Sequence, residues 1–127
     1  MEQKAVVAAK PGGAEGGNGS SATVDSSALE RLQALVGFLQ SRGVRVEFFL
    51  APIHPQTMAL LDGTASQRSI NGAERRFRTM AAEYGVAVHG SFDPGTVRCS
   101  AEEFYDSGHP RESCVSRIFS TAPGAGQ

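Results

Sequence analysis

The apolar positions of this chain change period several times, and each change marks an element. From Ser27 onward, Leu29, Leu32, Val36 and Leu39 recur at helical spacing, with Leu35 and Phe38 widening the stripe. Ser27-Ala-Leu-Glu30 has the form of a capping box, in which serine and glutamate side chains satisfy each other's orphan amides. Gly43 falls where a left-handed C-terminal cap is needed, so a helix is expected between them. Val44-Arg-Val-Glu-Phe-Phe-Leu-Ala51 follows, rich in β-branched and aromatic residues and closed by Pro52. It reads as a strand whose latter half is buried on both faces. After the Pro52-Ile-His-Pro55 turn, a short helix through Met58, Leu60 and Leu61 is expected. A longer helix then places Phe77, Met80, Ala81 and Tyr84 on one face and Arg75, Arg76 and Arg78 outside, with Gly85 ending it. Val86-Ala-Val-His-Gly90 predicts a second short strand, and residues 113–119 a last helical turn or two.

Strand, helix, strand with a covering helix implies an α/β fold with a parallel pair and a right-handed crossover. Residues 4–9 offer a third strand, although the segment after them argues against its docking. Doubly wound sheets have about five or six strands, so the pattern reads like half a domain. Residues 10–27 carry Lys-Pro-Gly-Gly-Ala-Glu-Gly-Gly-Asn-Gly-Ser-Ser and no large apolar side chain before Val24, the composition of a tether. The expected organisation is a flexible segment over 1–27, a folded unit over 28–120 and a disordered tail over 121–127. The glycines are not a phosphate-cradling loop, because the Gly-Lys-Ser/Thr ending is missing.

Composition narrows the function classes. A chain of 127 residues has room for one core, and a formal net charge of -1 recruits neither nucleic acid nor an anionic membrane. Arg68, Arg75, Arg76 and Arg78 read as a solvated helix face, lacking the aromatic interleaving of a nucleic-acid surface. No apolar run is long enough to span a bilayer, and Ala5-Val-Val-Ala-Ala9 is too short for a signal-peptide core, which makes the cytoplasm the default location. Cys99 and Cys114 are the only cysteines. They form either a disulfide in an oxidising compartment or two thiols in a reducing one. Their number excludes a paired-cysteine zinc site, and His54, His89 and His109 show no metal-ligand spacing, so no metal or other cofactor is expected.

Sites in open parallel sheets gather beyond the carboxyl ends of the strands. That rim collects His54, Asp93, Asp106 and His109 as candidates, three of them followed directly by proline, which stiffens the presenting turns. Asp106-Ser-Gly-His109 is the most informative. A histidine acting as general base must hold one tautomer and one orientation, and a carboxylate on its far nitrogen provides both. Read locally, the same four residues also suit a surface turn in which Asp106 is a cap.

Position in the fold brings in a family. Residues 29–119 resemble the C-terminal half of an SGNH (GDSL-type) hydrolase domain. The order is a helix ending at Gly43, the strand and proline turn Phe48-Phe-Leu-Ala-Pro52, a helix leading into Glu83-Tyr-Gly-Val-Ala-Val88, and an Asp-x-x-His block before a terminal helix. Ala51-Pro-Ile-His-Pro55 is similar to branches that transfer acyl groups on polysaccharides and cell envelopes. The resemblance implies a partial flavodoxin-like sheet and an esterase or acyltransferase site in which Asp106 orients and His109 is the base. It implies an acyl-ester or acylated-carbohydrate substrate. The family's nucleophile stands in a Gly-Asp-Ser motif upstream, whereas Gly19-Ser20-Ser21 lies in the tether and lacks the aspartate. The expectation is therefore a truncated or degenerate domain with an acid–base pair and no identifiable serine. The alternative is a non-catalytic binding module whose sheet is completed by a partner chain or a second copy.

Overall fold

The computed structural model describes residues 3–9 and 25–123. Three parallel strands, β1 (Gln3–Ala9), β2 (Val44–Leu50) and β3 (Ala87–Gly90), form a sheet in the order β1-β2-β3. Helices α1 (Ser26–Ser41), α2 (Pro55–Leu60) and α3 (Ala65–Tyr84) lie between them in sequence. A 3-10 turn over Ala101–Glu103 leads into a small antiparallel hairpin, β4 (Phe104–Asp106) and β5 (His109–Pro110), followed by α4 (Glu112–Ser120). Among the described residues no helix is long and apolar enough to cross a membrane.

The central strand explains the layering. Val46, Phe48 and Leu50 alternate onto one face and join Val36 of α1 and Met80 and Ala81 of α3 in the main core. Phe48 has no exposed surface and meets the Phe77 ring edge-on at 6.2 Å. Burying such a side chain contributes roughly 1.5–3 kcal/mol. Glu47 and Phe49 point to the opposite face, where α4 lays Phe119 against Phe49 at 5.3 Å and against His89 at 4.7 Å. A satellite cluster of Cys99, Phe104, Cys114 and Ile118 fixes the hairpin and α4 to this side. Cys99 and Cys114 are disulfide-bonded, which resolves the two readings left open by composition.

Several local expectations are refined by tertiary contacts. The segment before the tether docks after all: β1 pairs in parallel with β2, from Gln3 opposite Val44 to Ala9 opposite Leu50. Residues 10–24 of the expected tether, and 124–127 of the expected tail, lie outside the described residues. The cap of α1 is Asp25, whose Oδ1 accepts from the Ser27 amide at 2.9 Å, so the helix starts before the expected Ser27 box. Gly43 and Gly85 both take left-handed backbone just past their helices, as the spacing required. Leu35 and Phe38 do not extend the buried stripe of α1, being 47% and 55% exposed, because the helix meets the sheet through Leu32, Val36 and Leu39. Leu60 is also exposed, and α2 buries none of its residues. Arg78 departs from the solvated face expected for the arginines. It binds the Glu74 carboxylate and donates to the Gly90 carbonyl.

Candidate functional site

The two turns that close β2 and the hairpin are joined. Ile53 donates its amide to the Phe92 carbonyl at 3.0 Å, tying the ends of β2 and β3 together. His54 donates its backbone amide to the Ser107 carbonyl at 3.1 Å, which holds the Asp106–His109 turn against the carboxyl end of β2. Pro55 takes the first position of α2, where its missing N–H is not needed, and His54 caps that helix. The His54 Nδ1 accepts from the Gln56 amide at 3.0 Å, which places the ring proton on Nε2. Its ring lies 5.2 Å from that of the buried Phe104, the first residue of the hairpin.

Asp106 and His109 face each other across the Ser107-Gly108 turn that closes the hairpin. The His109 Nδ1 lies 2.7 and 2.8 Å from the two Asp106 oxygens, and the Gly108 amide donates to Oδ1 at 2.9 Å. The Gly108 amide and then the His109 ring favour the ionised carboxyl, so Asp106 titrates below the usual carboxylate range. A carboxylate so held keeps the imidazole proton on Nδ1 and makes Nε2 the atom that carries the lone pair. Both side chains are exposed, at 57% and 62%. The sequence-predicted pair is thus brought together.

The other rim candidates divide. His54 is bound to the dyad turn through its backbone. The Asp93 carboxylate instead closes its own turn, accepting from the Gly95 amide at 2.9 Å and the Thr96 hydroxyl at 3.1 Å. Ser20 and Ser21 of the tether lie outside the described residues. Among the described residues, no group of three or more His, Cys, Asp or Glu side chains is arranged to hold a metal ion.

Two polar networks support this region and were missed by sequence reasoning. Glu103 accepts from Arg117 through both carboxylate oxygens at 2.9 Å, and from the Ser113 hydroxyl at 2.8 Å. These bonds, with a further one from the Ser100 amide, hold the Glu103 carboxyl down to about 2. The capping box Ser100-Ala-Glu-Glu103 was the available signal, and it does form. Second, Glu74 of α3 accepts from the Ser91 hydroxyl and the Phe92 amide, both at 2.8 Å, pinning the chain as it leaves β3. No local motif announces that contact, since its partners are 17 and 18 residues apart.

The chain matches no protein-family model, no curated protein and no solved structure.

Proposed function

We propose that this chain carries the Asp–His part of an SGNH-type acyl-ester hydrolase or acyltransferase, on a sheet of flavodoxin-like type. The observation that supports the reading is the Asp106–His109 pair, bonded at 2.7 Å and held beside the carboxyl end of the central strand. In the reaction, a serine Oγ attacks the ester carbonyl while His109 Nε2 takes its proton. The tetrahedral intermediate collapses, His109 returns that proton to the departing alcohol, and an acyl-serine remains. Water, or an acceptor hydroxyl in the transferase case, then releases the acyl group by the same steps in reverse. Asp106 stabilises the imidazolium at each stage.

The test is intact-mass analysis after a fluorophosphonate serine probe, with His109→Ala in parallel. A single adduct that disappears in the variant shows that this chain itself supplies the serine, and peptide mapping then identifies it. An adduct formed equally by both proteins overturns the role of His109, and no adduct on folded protein removes the nucleophile from this chain.

A second reading has its own support. Among the described residues β1 pairs only with β2, and the apolar Val6 of that edge strand is 44% exposed. A strand edge with an exposed apolar side chain suits a binding module whose sheet is completed by a partner. Sedimentation equilibrium of the purified chain separates a self-completing dimer from a monomer that needs another protein.

A further inference from the structure

A cleft of about 550 Å³ runs along the outer edge of β3, bounded by Arg78 of α3, Val97 and Arg98 of the preceding loop, and Arg117 and Ile118 of α4. The Gly90 carbonyl points to this edge, since it accepts from Arg78 at 3.0 Å. In a parallel strand, alternate residues bond to opposite neighbours, so the amide and carbonyl of Val88 point the same way. Val88, Val97 and Ile118 supply the apolar part of the walls, beside the polar Thr96 and Thr121.

The charges around the cleft are unequal. Arg78 is paired with Glu74 at 3.0 Å and Arg117 with Glu103 at 2.9 Å, so each of these arginines brings its own carboxylate. Asp93 engages the Gly95 amide and the Thr96 hydroxyl. Arg98 has no such carboxylate among the described residues: its backbone amide and carbonyl engage Gly95 and Arg117, and its side chain is exposed. Its backbone is held at φ 58°, and no other non-glycine among the described residues has a positive φ. That conformation costs about 1–2 kcal/mol and concentrates at functional sites. A buried histidine lines the same cleft. His89 is 7% exposed, and neither ring nitrogen has a hydrogen-bond partner. Its nearest charge is the Glu47 carboxylate, 3.5 Å from Nε2 and already held by Lys4 at 2.6 Å.

We propose that this cleft binds a small monocarboxylate with an apolar body, its carboxylate on Arg98 and its body against Val88, Val97 and Ile118. One uncompensated cation matches one negative charge, and the volume lies within the range of small-molecule sites. This inference is independent of the acyl-transfer reading, because it uses none of that site's residues.

The experiment is amide NMR titration of the full chain with hexanoate, set beside hexan-1-ol and inorganic phosphate. Arg98→Gly is the decisive variant. Glycine adopts the left-handed backbone without penalty, so the variant keeps the fold while losing the cation. Hexanoate should shift the Val88, Gly90 and Thr96 amides saturably below about 10 mM. Arg98→Gly should weaken that binding at least about tenfold. The absence of saturable shifts, or equal affinity in Arg98→Gly, overturns the proposal. So does hexanol binding as tightly as hexanoate, which defines a merely apolar cavity. Phosphate binding as tightly removes the apolar body from the recognition.

Discussion

Replacing Cys99 and Cys114 together by alanine removes the crosslink without leaving a reactive thiol. The disulfide joins positions 15 apart, and closing a loop of that length restricts the unfolded chain by about 3 kcal/mol. Both cysteines are buried, so trimming the sulfurs adds a smaller cavity cost of the same sign. Against the total of about 5–15 kcal/mol typical of a domain, the double variant should fold but with much reduced stability. The loss should also be local. The crosslink encloses the dyad hairpin and belongs to the satellite cluster with Phe104 and Ile118, whereas Phe48 and Leu50 lie in the main core. Urea unfolding followed by far-UV circular dichroism gives the magnitude, and native-state hydrogen exchange gives the location. Amides of β4, β5 and α4 should lose protection first, ahead of those of β2. A loss below about 1 kcal/mol, with unchanged exchange in the hairpin, would refute the loop-entropy reasoning.

Further outcomes follow from single contacts. A Cβ built on Gly90 would lie 2.6 Å from the Leu50 carbonyl oxygen, and its φ is 86°, so Gly90→Ala should cost about 2–4 kcal/mol in urea unfolding; an unchanged midpoint would contradict the close approach. Glu103 is held at about 2, below its unfolded value of 4.5, and Asp106 is lowered as well. Depressed folded values contribute stability above the unfolded values and lose it as pH falls through the folded ones. Stability measured between pH 5 and 2 should therefore fall, and fall less steeply in Glu103→Gln; parallel curves for the two proteins would exclude Glu103 as a source. In Asp106→Ala the His109 ring loses the acceptor that holds its Nδ1 proton, so long-range ¹⁵N–¹H spectra should change from one tautomer to a mixture. Persistence of the single Nδ1–H form would show that another group sets it.

Much of the local structure was legible in the residues. Leu32, Val36 and Leu39 repeat every three or four positions, and Gly43 and Gly85 stand where α1 and α3 need left-handed termini. Val46, Phe48 and Leu50 alternate as a strand must. The Asp106–His109 pair was legible for the same reason, since both partners lie in one turn and four residues suffice to specify it. Contacts between distant segments were not legible. Nothing near Glu74 indicates that it will hold Ser91 and Phe92, and nothing near Ser107 indicates that its carbonyl will meet the His54 amide.

The sequence by itself determined the helices, strands β2 and β3, the glycine ends of α1 and α3 and the close pairing within the dyad turn, because periodicity, capping and turn formation act between residues a few positions apart. Only the tertiary structure decided that β1 joins the sheet, that Cys99 and Cys114 bond, and that Leu35 and Phe38 remain outside the core. It also set Arg98 and His89 along one cleft at the outer edge of β3. Those outcomes depend on which apolar faces meet across long stretches of chain, and a side chain's own neighbours in sequence carry no record of what will pack against it.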